Sequence, residues 1–123
     1  MTIGAHSVSH AILAKADERE VRSELATSRS AIEAAVGKRP DYLAYPFGVG
    51  AAVGARETRI AAEVGFKMAF TAGRGVVFPR HAEQLAALPR VSLHGDSQRL
   101  RYVPVLLSGA PTTLWNVARR VAA

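Results

Sequence analysis

A long helical pattern bounded by clear start and stop residues limits the folds open to this chain. Residues 17–36 begin at Asp17, carry Glu20 three positions later and end before Gly37. This order is typical of a helix that is capped at both ends. Its apolar residues recur at helical spacing and predict one face turned to the core. The predicted core-facing residues are Val21, Leu25, Ile32 and Val36.

Short apolar runs alternate with this helix and with a second helical pattern over residues 56–64. The predicted strands are residues 2–5, 42–45, 66–71 and 88–93. Strands separated by helices usually pair in parallel, so the sequence predicts an α/β fold with a parallel sheet. Three or four strands are too few to close a barrel. Residues 73–75 are predicted as a turn, and residues 76–87 carry no clear pattern.

The predicted domain organisation is one α/β unit over residues 1–96 and a C-terminal extension over residues 97–123 that packs on it. A short helix is predicted over residues 111–123. Trp115 is expected to anchor this helix to a core, since a large aromatic side chain on an apolar helix face usually packs inward.

Composition excludes several classes of protein. The 123 residues are 49% hydrophobic, which suits one folded domain, and the absence of cysteine rules out disulfides and thiolate chemistry. The net charge is +6, but the arginines are scattered and no basic block appears, so we predict no nucleic-acid partner. No apolar stretch has membrane-spanning length, and no signal peptide is recognisable at the first residues. Taken as written, the chain is predicted to be cytoplasmic and to have no membrane partner.

The segment from His6 to His10 follows the first apolar run directly. Imidazoles four positions apart can reach one metal ion if the segment turns like a helix. The plainer interpretation is a pair of surface histidines at that spacing. The position after a strand end favours a metal site.

The sequence Tyr45-Pro46-Phe47-Gly48 closes the second apolar run. It predicts a strand end followed by a tight turn. Loops that border grooves need the same turn chemistry, so this interpretation is compatible with a functional role.

Together these segments resemble the polysaccharide deacetylases, also called carbohydrate esterase family 4 or the NodB homology domain. Residues 4–10 resemble the family's metal-binding motif, and residues 42–48 resemble its F-x-Y-P-[YF]-G motif. The other matching features are Glu24, Ser28, Ile32 and Gly37 in the helical pattern, residues 64–71 as its "GF..A.T" strand, and residues 88–91 as an "LPR" motif.

The resemblance implies part of a (β/α) barrel and metal-dependent hydrolysis of N- or O-acetyl groups on carbohydrate. Family members hold a divalent metal, typically zinc, with an Asp and the two motif histidines, which correspond here to His6 and His10. The partner implied is an acetylated poly- or oligosaccharide. The loop expected to border its groove is Tyr45, Pro46, Phe47 and Gly48.

The sequence departs from the family pattern at three points. The Asp-Asp motif that supplies the third ligand and the general base is not found before His6, and Ala44 replaces a frequent arginine. The nearest candidate for the family's catalytic histidine is His94. We therefore expect little or no activity from this chain alone. Substitute carboxylates are conceivable, although each is more simply a solvated charge: Asp41, Glu63 and Asp96.

Three other functions stay open at this stage. One is a non-catalytic fragment that self-associates, because a partial barrel exposes strand edges and apolar faces; a homo-oligomer is predicted on this ground. Another is a hydrolase of allantoin-like or cyclic-imide C–N bonds, as found in the same superfamily. Nucleic-acid binding rests on charge alone and ranks last.

Overall fold

The computed structural model describes residues 1–93, 95 and 99–121 as a mixed helix and sheet structure. The four α-helices are α1 (Glu18–Val36), α2 (Ala55–Val64), α3 (Val103–Leu107) and α4 (Ala110–Val121). The three strands are β1 (Tyr42–Ala44), β2 (Met68–Arg74) and β3 (Leu88–Arg90). Short 3-10 turns lie at Leu13–Lys15, Gly50–Ala52, Pro79–Glu83, Leu85–Ala87 and Leu100–Tyr102.

The three strands form a parallel sheet in the order β1-β2-β3. This confirms the predicted α/β class with parallel strands. Of the predicted first strand, residues 2–5, only Ala5 pairs with the sheet: it bridges Leu43 in parallel on the side of β1 away from β2. Ile3 is instead exposed. All four segments therefore turn their carboxyl ends to the same edge of the sheet.

The ends of α1 follow the sequence prediction. The Asp17 side chain accepts a hydrogen bond of 2.8 Å from the Glu20 backbone N–H. Gly37 has φ 72° and donates its N–H to Glu33. Such a left-handed residue is the common way to close a helix, and glycine adopts it at little cost.

The predicted core face of α1 is right at its start and wrong at its end. Val21 and Leu25 are completely buried, whereas Val36 is exposed. α1 packs against the shorter α2, whose last residue, Val64, meets Arg29 only midway along α1. The final turns of α1 extend past the end of α2. The helical periodicity of α1 contains no information about the length of α2.

Three predicted boundaries in the second half are also wrong. β2 begins at Met68 rather than Phe66, and it continues through residues 73 and 74, which were predicted as a turn. Pairing of Arg74 with Arg90 on β3 keeps this stretch extended. β3 is correspondingly short and ends at Arg90 rather than at residue 93.

The C-terminal helix α4 covers most of the predicted residues 111–123, while α3 was not predicted. Trp115 does not enter a core: it is 52% exposed and lies against the guanidinium of Arg74. Among the described residues no helix is long and apolar enough to cross a membrane. The division at residue 96 stays a prediction.

The core lies where α1 and α2 cover the sheet. Its completely buried members include Leu13, Val21, Leu25, Leu43, Ile60 and Ala69. Burying each of the leucine, valine and isoleucine side chains contributes about 1.5–3 kcal/mol. The core therefore holds β1 firmly, and the segments that leave its carboxyl end start from a fixed position.

Candidate metal centre

The rings of His6 and His10 meet beside the carboxyl end of β1, with their centroids 4.9 Å apart. The predicted convergence is present, but the segment between them is not helical. Ser7 and His10 take left-handed φ values of 61° and 57°, and the Ser7 Oγ accepts a 3.1 Å hydrogen bond from the His10 N–H. A tight turn, and not the helical turn that the spacing suggested, brings the two imidazoles together.

A hydrogen bond to the backbone fixes the orientation of the His6 ring. Its Nδ1 lies 2.6 Å from the carbonyl oxygen of Ala44, the last residue of β1. Because a carbonyl oxygen only accepts, Nδ1 must carry the proton in this bond. The neutral ring then presents the lone pair of Nε2 outward, which is the arrangement typical of a metal-ligating histidine.

The second histidine meets the loop that follows β1. The His10 ring packs edge-on against Phe47, with centroids 4.8 Å apart. Phe47 has a φ of 59° and a side chain that is about half exposed. The two motifs of the sequence therefore form one site, and an aromatic ring stands at its border.

A carboxylate from α1 supports the histidine turn. One oxygen of Glu24 accepts 2.9 Å hydrogen bonds from the backbone N–H groups of Val8 and Ser9. Partial burial raises the pKa of Glu24, but these two hydrogen bonds, together with hydrogen bonding to the Ser9 and Ser7 side chains, outweigh it, and the pKa lies below the usual range. The sequence indicated Glu24 only as part of a helix pattern. No local signal shows that it reaches the backbone 16 residues earlier.

The described residues contain no group of three His, Cys, Asp or Glu side chains that could hold a metal ion. Asp41 is paired with Lys67 at 2.9 Å, and this hydrogen bond lowers its pKa. Glu63 is paired with Arg22 and Arg59, and both hydrogen bonds lower its pKa. The remaining two candidates, His94 and Asp96, lie outside the described residues.

The predicted substrate loop divides into buried and exposed parts. Tyr45 and Pro46 are buried, and the Tyr45 hydroxyl donates a 2.9 Å hydrogen bond to the Ala86 carbonyl. Burial, with a smaller contribution from the Glu57 charge, raises the pKa of Tyr45. Phe47 is the member whose side chain is open to solvent. Substrate contact by this loop stays a prediction.

Gly48 completes the loop at a position that no other residue fits. Its φ is 58°, and a Cβ built there would lie 2.6 Å from the backbone nitrogen of Ala72. The loop thus packs directly on the backbone of β2, where Ala72 also donates a 2.7 Å hydrogen bond to the Gly48 carbonyl. This contact sets the position of Phe47 against His10.

Residues 1–69 match the family model described as polysaccharide deacetylase. The structure is similar to that of the Streptococcus pyogenes deacetylase PplD in complex with acetate, with a TM-score of 0.63 and 24% identity over 72% of this chain and 37% of that one. It is also similar to IcaB from Ammonifex degensii, with a TM-score of 0.54 and 28% identity over 65% and 32% of the two chains. The chain thus spans roughly a third of the length of these structures. No curated protein sequence matches significantly.

Proposed function

The chain belongs to the polysaccharide deacetylase family, and we propose that it supplies two zinc ligands, His6 and His10, to a deacetylase acting on an acetylated poly- or oligosaccharide. The observation that carries this proposal is the convergence of the two imidazoles at 4.9 Å, with His6 held through Nδ1 so that Nε2 faces outward. Two imidazoles whose ring centroids lie this close suit a borderline-soft divalent metal such as zinc.

The chain's own residues prepare this site in three ways. The Ala44 carbonyl orients His6, the Glu24 carboxylate holds the turn, and Phe47 packs against His10. A divalent metal bound here would supply Lewis acidity toward an acetyl carbonyl. We propose that Phe47 borders the sugar groove, since its exposed ring adjoins the histidines and aromatic faces suit apolar faces of a substrate.

The third ligand and the general base are proposed to come from outside these 123 residues. Support comes from the described carboxylates, since Asp41 and Glu63 are already paired with cations. Support also comes from the length of the chain, which spans roughly a third of the solved structures it matches. We propose accordingly that the sheet is part of a (β/α) barrel and that this chain alone has little or no activity.

Zinc titration by calorimetry tests the ligand assignment directly. We expect measurable binding that is lost in the double variant His6→Ala, His10→Ala, because each imidazole supplies one of the few ligands available. His81→Ala is the matched control, since His81 lies in a 3-10 turn and accepts a hydrogen bond from the Phe78 N–H. Equal affinity in the chain and the double variant would contradict the proposal.

The reaction itself is tested in a longer chain that includes an upstream Asp-Asp segment. Acetate release from tetra-N-acetylchitotetraose is expected to require both the added segment and zinc. One result would move the assignment to the C–N bonds of cyclic imides. In it, the longer chain binds zinc through both histidines, releases no acetate from acetylated glycans and hydrolyses a cyclic imide.

A further inference from the structure

A cleft lined by two arginines and the chain's one tryptophan lies where β2 and β3 end. Arg74 ends β2, Arg90 ends β3, and the two residues are register partners. The ring of Trp115 from α4 lines the same cleft, which has a volume of about 280 Å³. This is the size of a small-ligand site at the low end of the usual range, ~300–1,000 Å³.

The arginines have hydrogen-bonding capacity left for a ligand. The Arg74 guanidinium lies over the Trp115 ring at 5.6 Å from the centroid. Stacking uses the flat face of the guanidinium and leaves its N–H edge free to bind an oxyanion in a fork. Over the part of the chain that the structure describes, neither arginine forms an ion pair with a carboxylate.

A larger cleft among the described residues lacks this property. It has a volume of about 660 Å³ and contains the cations Arg59 and Lys67. Arg59 is paired with Glu18 and Glu63, and Lys67 is paired with Asp41. Its positive charge is already compensated, whereas that of the Arg74–Arg90 cleft is not compensated by a described carboxylate.

The position of the cleft relates it to the proposed active site. Ala44, which contacts His6, is level with Phe70, and Arg74 lies four residues further along β2. At about 3.3 Å per residue along a strand and about 4.8 Å between strands, the two sites are roughly 15 Å apart. Such a distance corresponds to a few sugar units of an extended polysaccharide. Phe47 contacts His10, and the next residue, Gly48, packs on the backbone of β2 at Ala72, two residues before Arg74.

We propose that Arg74, Arg90 and Trp115 form a subsite for a sugar unit that carries an oxyanion, either a carboxylate or a phosphate ester. The assignment of this unit to a deacetylase substrate rests on the proposed function. Arginine forks bind both oxyanions in two-point fashion, and the indole face supports the sugar ring. The substrate class is therefore an acetylated glycan with anionic groups, which the net charge of +6 also favours.

The emission of Trp115 reports directly on this cleft, because it is the only tryptophan of the chain. Three probes are titrated: a hyaluronan tetrasaccharide, which carries carboxylates, pentamannose 6-phosphate, and neutral tetra-N-acetylchitotetraose. We expect saturable changes in emission with one or both anionic probes, weakened by added salt, and a clearly weaker response to the neutral one. The anionic probe that binds more tightly identifies the oxyanion.

Arg74→Gln and Arg90→Gln are each expected to weaken binding of the anionic probe by about tenfold or more, because each removes a charged fork. Arg80→Gln is the matched control, since Arg80 also stacks on an aromatic ring, that of Phe78 at 4.4 Å, but does not line the cleft. An equal response to all three probes, no response to either anion, or an equal loss in Arg80→Gln would overturn the subsite.

The same titration on the His6→Ala, His10→Ala variant separates the two proposals. Unchanged binding there is expected, because the cleft contains neither histidine. In the native chain, a Trp115 response without zinc binding would contradict the histidine site alone. Zinc binding without a Trp115 response would contradict the subsite alone. Loss of the anionic response in the histidine variant would contradict a separate subsite.

Discussion

At the residue scale, the histidine turn depends on one distant carboxylate. Glu24 accepts hydrogen bonds from Val8 and Ser9 with a single oxygen. Bonds of this kind, from N–H groups to an ionised carboxylate, are about twice as strong as those between neutral groups. The turn they hold contains the strained residues Ser7 and His10, so Glu24 acts as a positioning residue for both imidazoles.

Glu24→Ala is expected to weaken zinc binding by roughly 10–100-fold, the usual loss for a group that orients metal ligands. Glu24→Gln should weaken zinc binding less than Glu24→Ala does, because the amide oxygen can still accept both hydrogen bonds, although it carries no charge. Calorimetry measures both, with Glu33→Ala as the control, since Glu33 on the same helix pairs with the exposed Arg39. Equal losses in Glu24→Ala and Glu33→Ala would remove the positioning role.

The lowered pKa of Glu24 predicts a pH dependence of stability. A carboxyl with a folded-state pKa below its unfolded value, 4.5, stabilises the fold fully above that value. The stabilisation is lost as the pH falls through the lower folded-state pKa. Urea unfolding of the metal-free chain should therefore show a difference between the native sequence and Glu24→Gln at pH 7 that decreases as the pH falls below 4.5. A difference that stays constant over that fall in pH would assign it to another cause.

Gly48 is the glycine with the most restrictive surroundings in the site. Gly48→Ala is expected to lower the free energy of unfolding by about 2–4 kcal/mol, from a left-handed backbone and a clash with the Ala72 nitrogen. Gly50→Ala is the control, because Gly50 also has a positive φ but meets nothing within 4 Å. Its expected cost is about 1 kcal/mol. Urea unfolding compares the two, and equal costs would show that the close backbone contact is unimportant.

At the scale of elements, α1 and α2 are joined by a buried arginine as well as by apolar side chains. Arg29 is 8% exposed and donates hydrogen bonds to the carbonyls of Pro40 and Val64, at 3.0 Å and 2.7 Å. Its guanidinium also lies over the Phe66 ring. One side chain thus donates hydrogen bonds to a carbonyl at the end of α2 and to a carbonyl of the segment that leads into β1. These bonds fix the elements relative to each other.

Arg29→Met keeps most of the volume but leaves both carbonyls without this donor. The expected loss is about 2–4 kcal/mol of unfolding free energy, because buried acceptors that lose their partner retain the cost of desolvation. Arg39→Met serves as the exposed control, with an expected change within about 0.5 kcal/mol. Denaturant midpoints measure both, and a similar small change in each would mean that water replaces the Arg29 hydrogen bonds.

The exposed faces of α1 and α2 carry a network of Glu18, Arg22, Arg59 and Glu63. Both arginines donate hydrogen bonds to the Glu63 carboxylate, and these bonds raise the pKa values of the two guanidinium groups. Pairs exposed to this extent are screened by salt and add little stability. The network therefore bridges the two helices in their parallel alignment and adds little to their stability.

At the scale of the whole molecule, apolar side chains remain exposed at both ends of the chain. They include Ile3 and Val8 beside the Ala5 segment, and Leu100, Leu107 and Leu114 in the C-terminal part. Exposed strand edges and apolar patches favour self-association. The predicted homo-oligomer rests on these surfaces and stays a prediction.

Sedimentation velocity over a hundredfold range of concentration tests the oligomer. We expect the sedimentation coefficient to rise with concentration, because association that buries apolar surface follows mass action. The double variant Ile3→Ser, Val8→Ser should shift this rise to higher concentration if the Ala5 edge is the contact. A monomer at every concentration would contradict the predicted homo-oligomer.

The sequence by itself determined the features that depend on near neighbours along the chain. Asp17 and Gly37 mark the ends of α1, apolar runs mark the strands, and the motif from His6 to His10 marks the site, because capping and alternation act over a few residues. Helix-strand alternation was also enough for the parallel α/β class.

Only the tertiary structure decided the features that depend on residues far apart. The His6 Nδ1 meets Ala44 38 positions away, the Tyr45 hydroxyl meets Ala86 41 positions away, and Trp115 meets Arg74 across the carboxyl edge of the sheet. The local sequence pattern contains no information about such contacts. The packing of β1 between its neighbours therefore decided which nitrogen of His6 faces outward. It also decided that the predicted substrate loop turns Tyr45 inward and Phe47 outward.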